Sequence, residues 1–343
     1  MPNVSGLEQF IKGLYDDGSA YYHEEPFEDA TGIEKNSRNY DELESRIHDV
    51  FPVFDPRYLG YEFPSYTFIE TENHLAEASE ESTTISLLSE KAQLLGTVLG
   101  DVDLIHRRID ENRWTNAEFA KWAKQRLEVF EQFETYPIFE IDRWYGKDIN
   151  EPLHNSFNGN MGPVDGDPIR SLTDDEEAVI EALFEDPGLL KLTSDYTRLD
   201  ITIPNSIADL DQSGIEEIIS RLKAEDILLG SSITYEINRT PWQCAFMGLS
   251  LGAENGEVDH DGVIEALQDP DFDEDEEEYW DEFIMPFITS GVGQGWADIL
   301  IELRIQDLSD LDDIAQKIRD IEDVESTKTY LMTDTLLNEY TRR

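Results

Sequence analysis

Two short turns carry the residue types and spacing that could hold a small ligand: Gly100-Asp-Val-Asp103 and Gly295-Trp-Ala-Asp298. Glycine permits the positive φ of a tight turn, and the exposed amides beside it can receive a carboxylate. Gly100, Asp101, Asp103, Gly295 and Asp298 are therefore candidate ligand-binding residues. A plain hairpin uses the same types, Gly for geometry and Asp for turn hydrogen bonds. A second constellation is Lys35-Asn-Ser-Arg-Asn-Tyr40, leading into a helix that reaches Arg46 and His48. Asn and Arg pair bidentately with adenine and guanine edges, and Lys holds phosphate. Lys35, Asn36, Ser37, Arg38, Tyr40 and Arg46 are thus candidate nucleic-acid-binding residues, although they also suit a helix cap and turn. A third cluster, His106, Arg107, Arg108, Arg113, Lys121, Lys124 and Arg126 with Trp114 and Trp122 interleaved, can face an anionic partner or pair with acids of the same chain.

Other chemistry finds little footing. The Gly-x-Gly-x-Gly at 291–295 lies between two predicted strands without the following helix of a dinucleotide site. Asp269-x-Asp271-x-Asp273 begins like a calcium loop, but Glu274 and Trp280 occupy positions that need glycine and glutamate. The six histidines show no compact ligand spacing, and no nucleophile elbow or Walker loop is present. The expectation is a chain that is not an enzyme and has no cofactor or metal.

The 26 Lys and Arg stand against 77 Asp and Glu, a net charge of −51 spread over nearly every segment. Such self-repulsion is tolerable where salt is molar and the Debye length is about 3 Å, so a halophilic cytoplasm is expected. The single cysteine, Cys244, sits in an apolar run and reads as a buried strand residue. No apolar stretch approaches the roughly 18 residues that span a bilayer, and the start lacks a signal-peptide pattern, so a soluble, cytoplasmic protein without membrane contact is expected.

The elements that must position these residues recur along the chain. The helical face of Leu7 to Asp17 is repeated 169 residues later by Glu176 to Asp186, Asp41 to Ile47 by Glu216 to Leu222, and the turn at Gly100 by that at Gly295. A Gly, Asn and Pro-rich stretch, 146–170, separates the copies as a linker. After its helices each copy changes to a β-α-β-β-α-β pattern. In the first this runs through a strand Tyr66 to Glu72, a helix Glu81 to Gln93, strands Leu95 to Val98 and Asp103 to Ile109, a helix Asn116 to Phe133, and a last strand Tyr136 to Arg143. In the second, an extended pair over Ile227 to Asn238 precedes strands and helices from Cys244 to Met332.

Gly295 to Ile305, Asp310 to Ile314 and Ile321 to Tyr330 resemble the Gly-x-x-Asp strand, helix and closing Val-x-x-Thr-x-Thr strand of the Lrp/AsnC (feast/famine) transcription regulators. Arg221-Leu-Lys-Ala-Glu-Asp-Ile-Leu-Leu-Gly230 resembles the end of that family's recognition helix and the start of its wing. The resemblance implies an α+β fold of two tandem repeats, each a winged helix-turn-helix-like subdomain followed by a ferredoxin-like βαββαβ ligand-sensing (RAM) subdomain. The implied boundaries are 1–60 and 61–145 for the first repeat, 146–170 for the linker, and 171–240 and 241–343 for the second. It further implies a DNA-binding regulator of a halophilic archaeal type. A small effector such as an amino acid would act on a fused pseudodimer that can assemble further into homo-oligomers. Glu42 and Glu217 stand near where the family has a basic residue, and 201–226 holds six acids beside only Arg221 and Lys223, which places DNA reading in the first repeat. The alternative is a sensor that does not bind DNA, or an enzyme like the siroheme decarboxylases, which also use fused halves of this kind. That family's Arg-Arg-x-Gly-Ala motif with its following histidine is not found in the chain.

Overall fold

The computed structural model describes residues 7–22, 24–35, 40–59, 63–71, 88, 92–110, 118–119, 121–122, 125, 130–137, 140–141, 143–144, 147–148, 170–191, 207, 210–235, 243–252, 258–268, 285–288, 297–305 and 308–338. In chain order the first half has helices α1 (Leu7–Asp16), α2 (Glu24–Thr31) and α3 (Tyr40–Glu44) and strand β1 (Ile47–Phe54). Strands β2 (Phe63–Thr71), β3 (Leu94–Leu99), β4 (Leu104–Asp110), β5 (Phe130–Pro137), β6 (Glu140–Ile141), β7 (Arg143–Trp144) and β8 (Lys147–Asp148) follow. The second half has α4 (Asp174–Glu185), α5 (Gln212–Ala224), β9 (Leu228–Tyr235), β10 (Gln243–Leu251), α6 (His260–Gln268), β11 (Met285–Ile288), β12 (Ile299–Ile305), α7 (Leu308–Arg319) and β13 (Val324–Asn338).

The apolar residues Phe10, Ile11 and Leu14 share one face of α1 and are fully buried. A Cβ on Gly13 would stand 2.1 Å from the Ala30 carbonyl oxygen of α2, so only glycine permits this helix crossing. Gly→Ala inside a helix ordinarily stabilises by about 1 kcal/mol. Here the clash with backbone reverses the sign: Gly13→Ala should lower the unfolding free energy by about 1–3 kcal/mol, read as a lower thermal midpoint. The 3₁₀ turns Gly18–Tyr22 and Pro187–Lys191 follow α1 and α4 alike.

Two readings of local structure change. Of the expected extended pair over 227–238, residues 236–238 lie outside the described residues, and 228–235 form one strand: β9 pairs antiparallel with β1 of the other half, Ile47 opposite Tyr235 and Val53 opposite Gly230. Ser231 to Tyr235 are buried on both faces, which a surface hairpin cannot provide. The helix expected to run to Phe133 instead gives way to β5 at Phe130. A bulge in its pairing with β2 sets Phe130 opposite Thr71 and Phe133 opposite Ile69, so residues three apart, a helical spacing, oppose residues two apart.

The main sheet has nine strands in the order β5-β2-β4-β3-β13-β10-β12-β11-β6. Within each half the third strand lies between the first and second, and the fourth lies beside the first. The sheet is not flat. Its two end strands, β5 and β6, are consecutive in the chain, and the step from Pro137 to Glu140 spans at most about 11 Å. Laid flat, nine strands would be about 38 Å wide. The sheet therefore rolls closed, and the inner faces of β2 and β4 meet those of β10 and β12. Tyr66, Phe68, Ile105, Phe246, Leu300 and Tyr330 pack there in a core that continues into α1, α2 and β1. On the outer side of the second half, Met247, Leu249, Ile301 and Leu303 pack under α6 and α7.

Candidate functional site

Every residue of β12 (Ile-Leu-Ile-Glu-Leu-Arg-Ile) is buried, because one face lies under the helices and the other faces into the closed sheet. Glu302 and Arg304 share the inner face with Leu300, and they draw a polar network into the interior. The Glu302 carboxylate accepts from the Tyr66 hydroxyl at 3.1 Å, from Arg107 Nη1 at 3.3 Å and from Arg304 Nη2. Arg304 also donates to Cys244 Sγ at 2.7 Å and, through Nε, to the Tyr235 hydroxyl at 3.3 Å. The network therefore joins β2 and β4 of the first half to β9, β10 and β12 of the second.

Its electrostatics follow from burial and pairing. Burial opposes ionisation of Glu302, but the guanidiniums of Arg304 and Arg107 outweigh it and hold the carboxyl below the usual range. Burial, with the Glu302 charge adding to it, keeps the Tyr66 hydroxyl protonated far above its ordinary range. Burial likewise pushes the Cys244 thiol up to about 12 despite Arg304. The interior thus presents two guanidiniums beside neutral O–H and S–H donors, an arrangement that grips a carboxylate.

The residues singled out from sequence are distributed otherwise. The Lys35 ammonium donates to the Tyr21 carbonyl and lies 4.9 Å from the Phe27 ring centroid and 5.1 Å from that of Tyr21. The Tyr40 hydroxyl donates to Glu44 at 2.9 Å, and its ring packs edge-on against Phe27. The helix ends at Glu44, which leaves Arg46 in a turn and His48 in β1. Asn36, Ser37 and Arg38 lie outside the described residues, as does Gly295.

At the first turn a Cβ on Gly100 would stand 2.7 Å from the Tyr330 ring, and Asp101 pairs with Lys328 of β13, so this turn lies on the seam between the halves. The Asp103 N–H donates to the Ile69 carbonyl at 2.8 Å. The Asp298 carboxylate accepts from the Leu251 N–H at 2.8 Å and ties the second turn to β10. In the basic cluster His106 and Arg108 face outward from β4, His106 stacked on Phe119 at 5.0 Å and Arg108 3.9 Å from the same ring centroid. Arg107 faces inward to Glu302. Of the two readings of this cluster, an anionic partner or acids of the same chain, Arg107 follows the second, but its partner Glu302 and the neighbouring Arg304 were not singled out from the sequence. Their signal was two charges in a strand otherwise composed of Ile and Leu.

An α+β scaffold whose closed sheet holds paired halves around a polar interior is the class this geometry defines. No protein-family model matches the chain, and no curated protein does. Among solved structures, the siroheme decarboxylase NirDL matches with a TM-score of 0.51 at 10% identity, covering 98% of this chain and 94% of its own. E. coli AsnC matches with a TM-score of 0.35 at 14% identity, covering 51% of this chain and 100% of its own. An AsnC family transcriptional regulator from Agrobacterium tumefaciens gives 0.32 at 15% identity over 45% of this chain and 97% of its own. The expectation that the chain is not an enzyme is corrected by the first of these: the fold that spans nearly all of it is one on which an enzyme is built. Among the described residues no helix is long and apolar enough to cross a membrane.

Proposed function

We propose that this chain is a pseudodimer of two tandem Lrp/AsnC-like repeats that binds a carboxylate-bearing small molecule between its sheets, with decarboxylation the reaction its donor set suits. The repeats would span 1–145 and 171–343 across the 146–170 linker, each a winged helix-turn-helix-like unit followed by a ferredoxin-like one. The observation that carries the reading is the buried network: Arg107 and Arg304 converge on one carboxylate, with Tyr66, Tyr235 and Cys244 around it. Glu302 occupies both guanidiniums, so a ligand's carboxylate would take over those bonds as the Glu302 side chain takes up a proton or turns aside, which keeps the charge of the interior unchanged. Gly100, Asp101 and Asp103, on the seam between the halves, then frame an approach to that interior, with Gly295 and Asp298 as their counterparts in the second repeat.

The helical units support this reading over DNA recognition. Lys35 and Tyr40 are engaged within their own subdomain, and Arg221 at the end of α5 is bound by Glu176 at 3.0 Å. The test uses iron-uroporphyrin III, the tetrapyrrole whose analogue is bound in a structure of the NirDL enzyme. Titrated into the full chain in molar KCl, it should give a saturable Soret change that weakens about tenfold in Tyr66→Phe, as loss of one hydrogen bond to a charged group implies. Incubation of the complex should release CO₂. Absence of binding across a series of carboxylated tetrapyrroles and amino acids would sink the reading. So would a sequence-selective mobility shift with genomic DNA that is abolished by Arg38→Glu, which would establish the regulator instead.

A further inference from the structure

Strands β2 and β10 are both nine residues long and β4 and β12 both seven, and their registers match residue for residue. Phe63 faces Asp110 as Gln243 faces Ile305, and Tyr66 faces Arg107 as Phe246 faces Glu302. Tyr66 and Phe246 therefore hold equivalent positions in the two halves, and so do Arg107 and Glu302. Both sets of equivalents touch. The rings of Tyr66 and Phe246 lie 5.6 Å apart, and Arg107 Nη1 is 3.3 Å from Glu302 Oε2. Two copies of one position can meet only on the two-fold axis that relates them. These four residues consequently mark the axis of the pseudodimer.

On such an axis a dimer of like halves would set arginine against arginine or glutamate against glutamate, nearly dry and a few ångströms apart. The side chains of Arg107 and Glu302 are 3% and 1% exposed, so neither water nor salt screens them effectively. The neighbouring position has diverged compatibly, since the Tyr66 hydroxyl reaches Glu302 while Phe246, its equivalent, has no hydroxyl to offer the Arg107 side. We propose that Arg107 and Glu302 determine which surfaces may pair: the sheet of each half accepts only the unlike half, from the same chain or from a second copy, and rejects its own kind. The inference rests on the equivalence of the halves proposed above and involves no ligand, so binding can fail while it stands, and the reverse.

The test uses two full-length variants, Arg107→Glu and Glu302→Arg, in molar KCl. Alone, each places like charges on the axis and should melt about 10 °C below the wild type. Unfolded together and refolded as a mixture, the two chains can exchange halves so that opposite charges meet at both axes. The expected product is a one-to-one heterodimer by size-exclusion light scattering that recovers most of the lost melting temperature. Neither variant refolded by itself should form that dimer. Because reversal at position 302 also brings a second cation beside Arg304, a further chain carrying Arg107→Leu and Glu302→Leu together is measured. It should melt above Arg107→Leu alone and above Glu302→Leu alone. A mixture that yields no heterodimer, together with a double-leucine chain no more stable than the worse single, would overturn the proposal.

Discussion

Glu302→Gln should lower the unfolding free energy by about 3–5 kcal/mol, the range for removing one partner from a buried ion pair. Glutamine keeps the shape of the side chain and one acceptor oxygen, so packing around Phe246 and Leu300 is preserved and no cavity forms. What is lost is the anion that Arg107 and Arg304 both contact, while the amide places N–H donors toward guanidinium donors. A purely apolar replacement has the opposite consequence. With Arg107, Glu302 and Arg304 all changed to leucine or methionine, no charge remains to be desolvated, and stability should return to within about 2 kcal/mol of wild type. The sign of the pH dependence follows from the depressed Glu302 carboxyl. A group whose folded pKa lies below its unfolded value stabilises above the unfolded pKa and loses that contribution as pH falls through the folded one. The wild type should therefore approach the glutamine variant on acidification. Urea unfolding in molar KCl, with an unchanged dependence on denaturant, is the measurement. A loss below 1 kcal/mol at neutral pH would mean that water reaches the network and that the interior is not the closed one described.

Much of the fold was legible because periodicity and burial agree. The spacing of Phe10, Ile11 and Leu14 announced α1, the apolar run around Cys244 announced a buried strand, and a strand was also expected around Ile301. Gly100 to Asp103 does lie between β3 and β4, where a turn was expected, and Asp298 directly precedes β12. The failures have physical causes. A bulge in the pairing of β5 imitates helical spacing at Phe130 and Phe133, and partner choice over 228–235 is decided by the distant β1 rather than by the neighbouring chain. The site was the least legible part. Arg107 lies between His106 and Arg108 and shared their basic reading, but strand alternation sends the neighbours outward to Phe119 and Arg107 inward to Glu302. Nothing local distinguishes the three. Recognising Glu302 as their counterpart required knowing that β4 and β12 face each other across a closed sheet.

Glu176 supplies the second large effect, in the packing of α4 against α5. It is buried at the start of α4 and closes a capping box with Thr173, whose backbone N–H donates to its carboxylate at 2.9 Å. Arg170 binds both carboxylate oxygens, at 2.8 and 2.9 Å, and Arg221 of α5 adds a bond at 3.0 Å. The Arg170 bonds chiefly, opposed by burial and helped by Thr173 and Arg221, draw the carboxyl from 4.5 down to about 2. By linkage this is on the order of 2–3 kcal/mol, fully present above about pH 4.5 and lost as pH falls toward 2. With 77 carboxylates titrating at once, the acid profile of the wild type alone cannot isolate it, but the difference from Glu176→Gln can. The two chains should differ by about 2–3 kcal/mol at pH 7 and converge below about pH 2.5. Molar salt should leave most of that difference intact, because the carboxylate is only 1% exposed even though its arginine partners reach solvent. A difference independent of pH would reduce Glu176 to a neutral cap. If instead it titrates as expected, the same carboxylate that starts α4 also holds Arg221 in the last turn of α5, so one side chain both caps the first helix of this unit and pins the second against it.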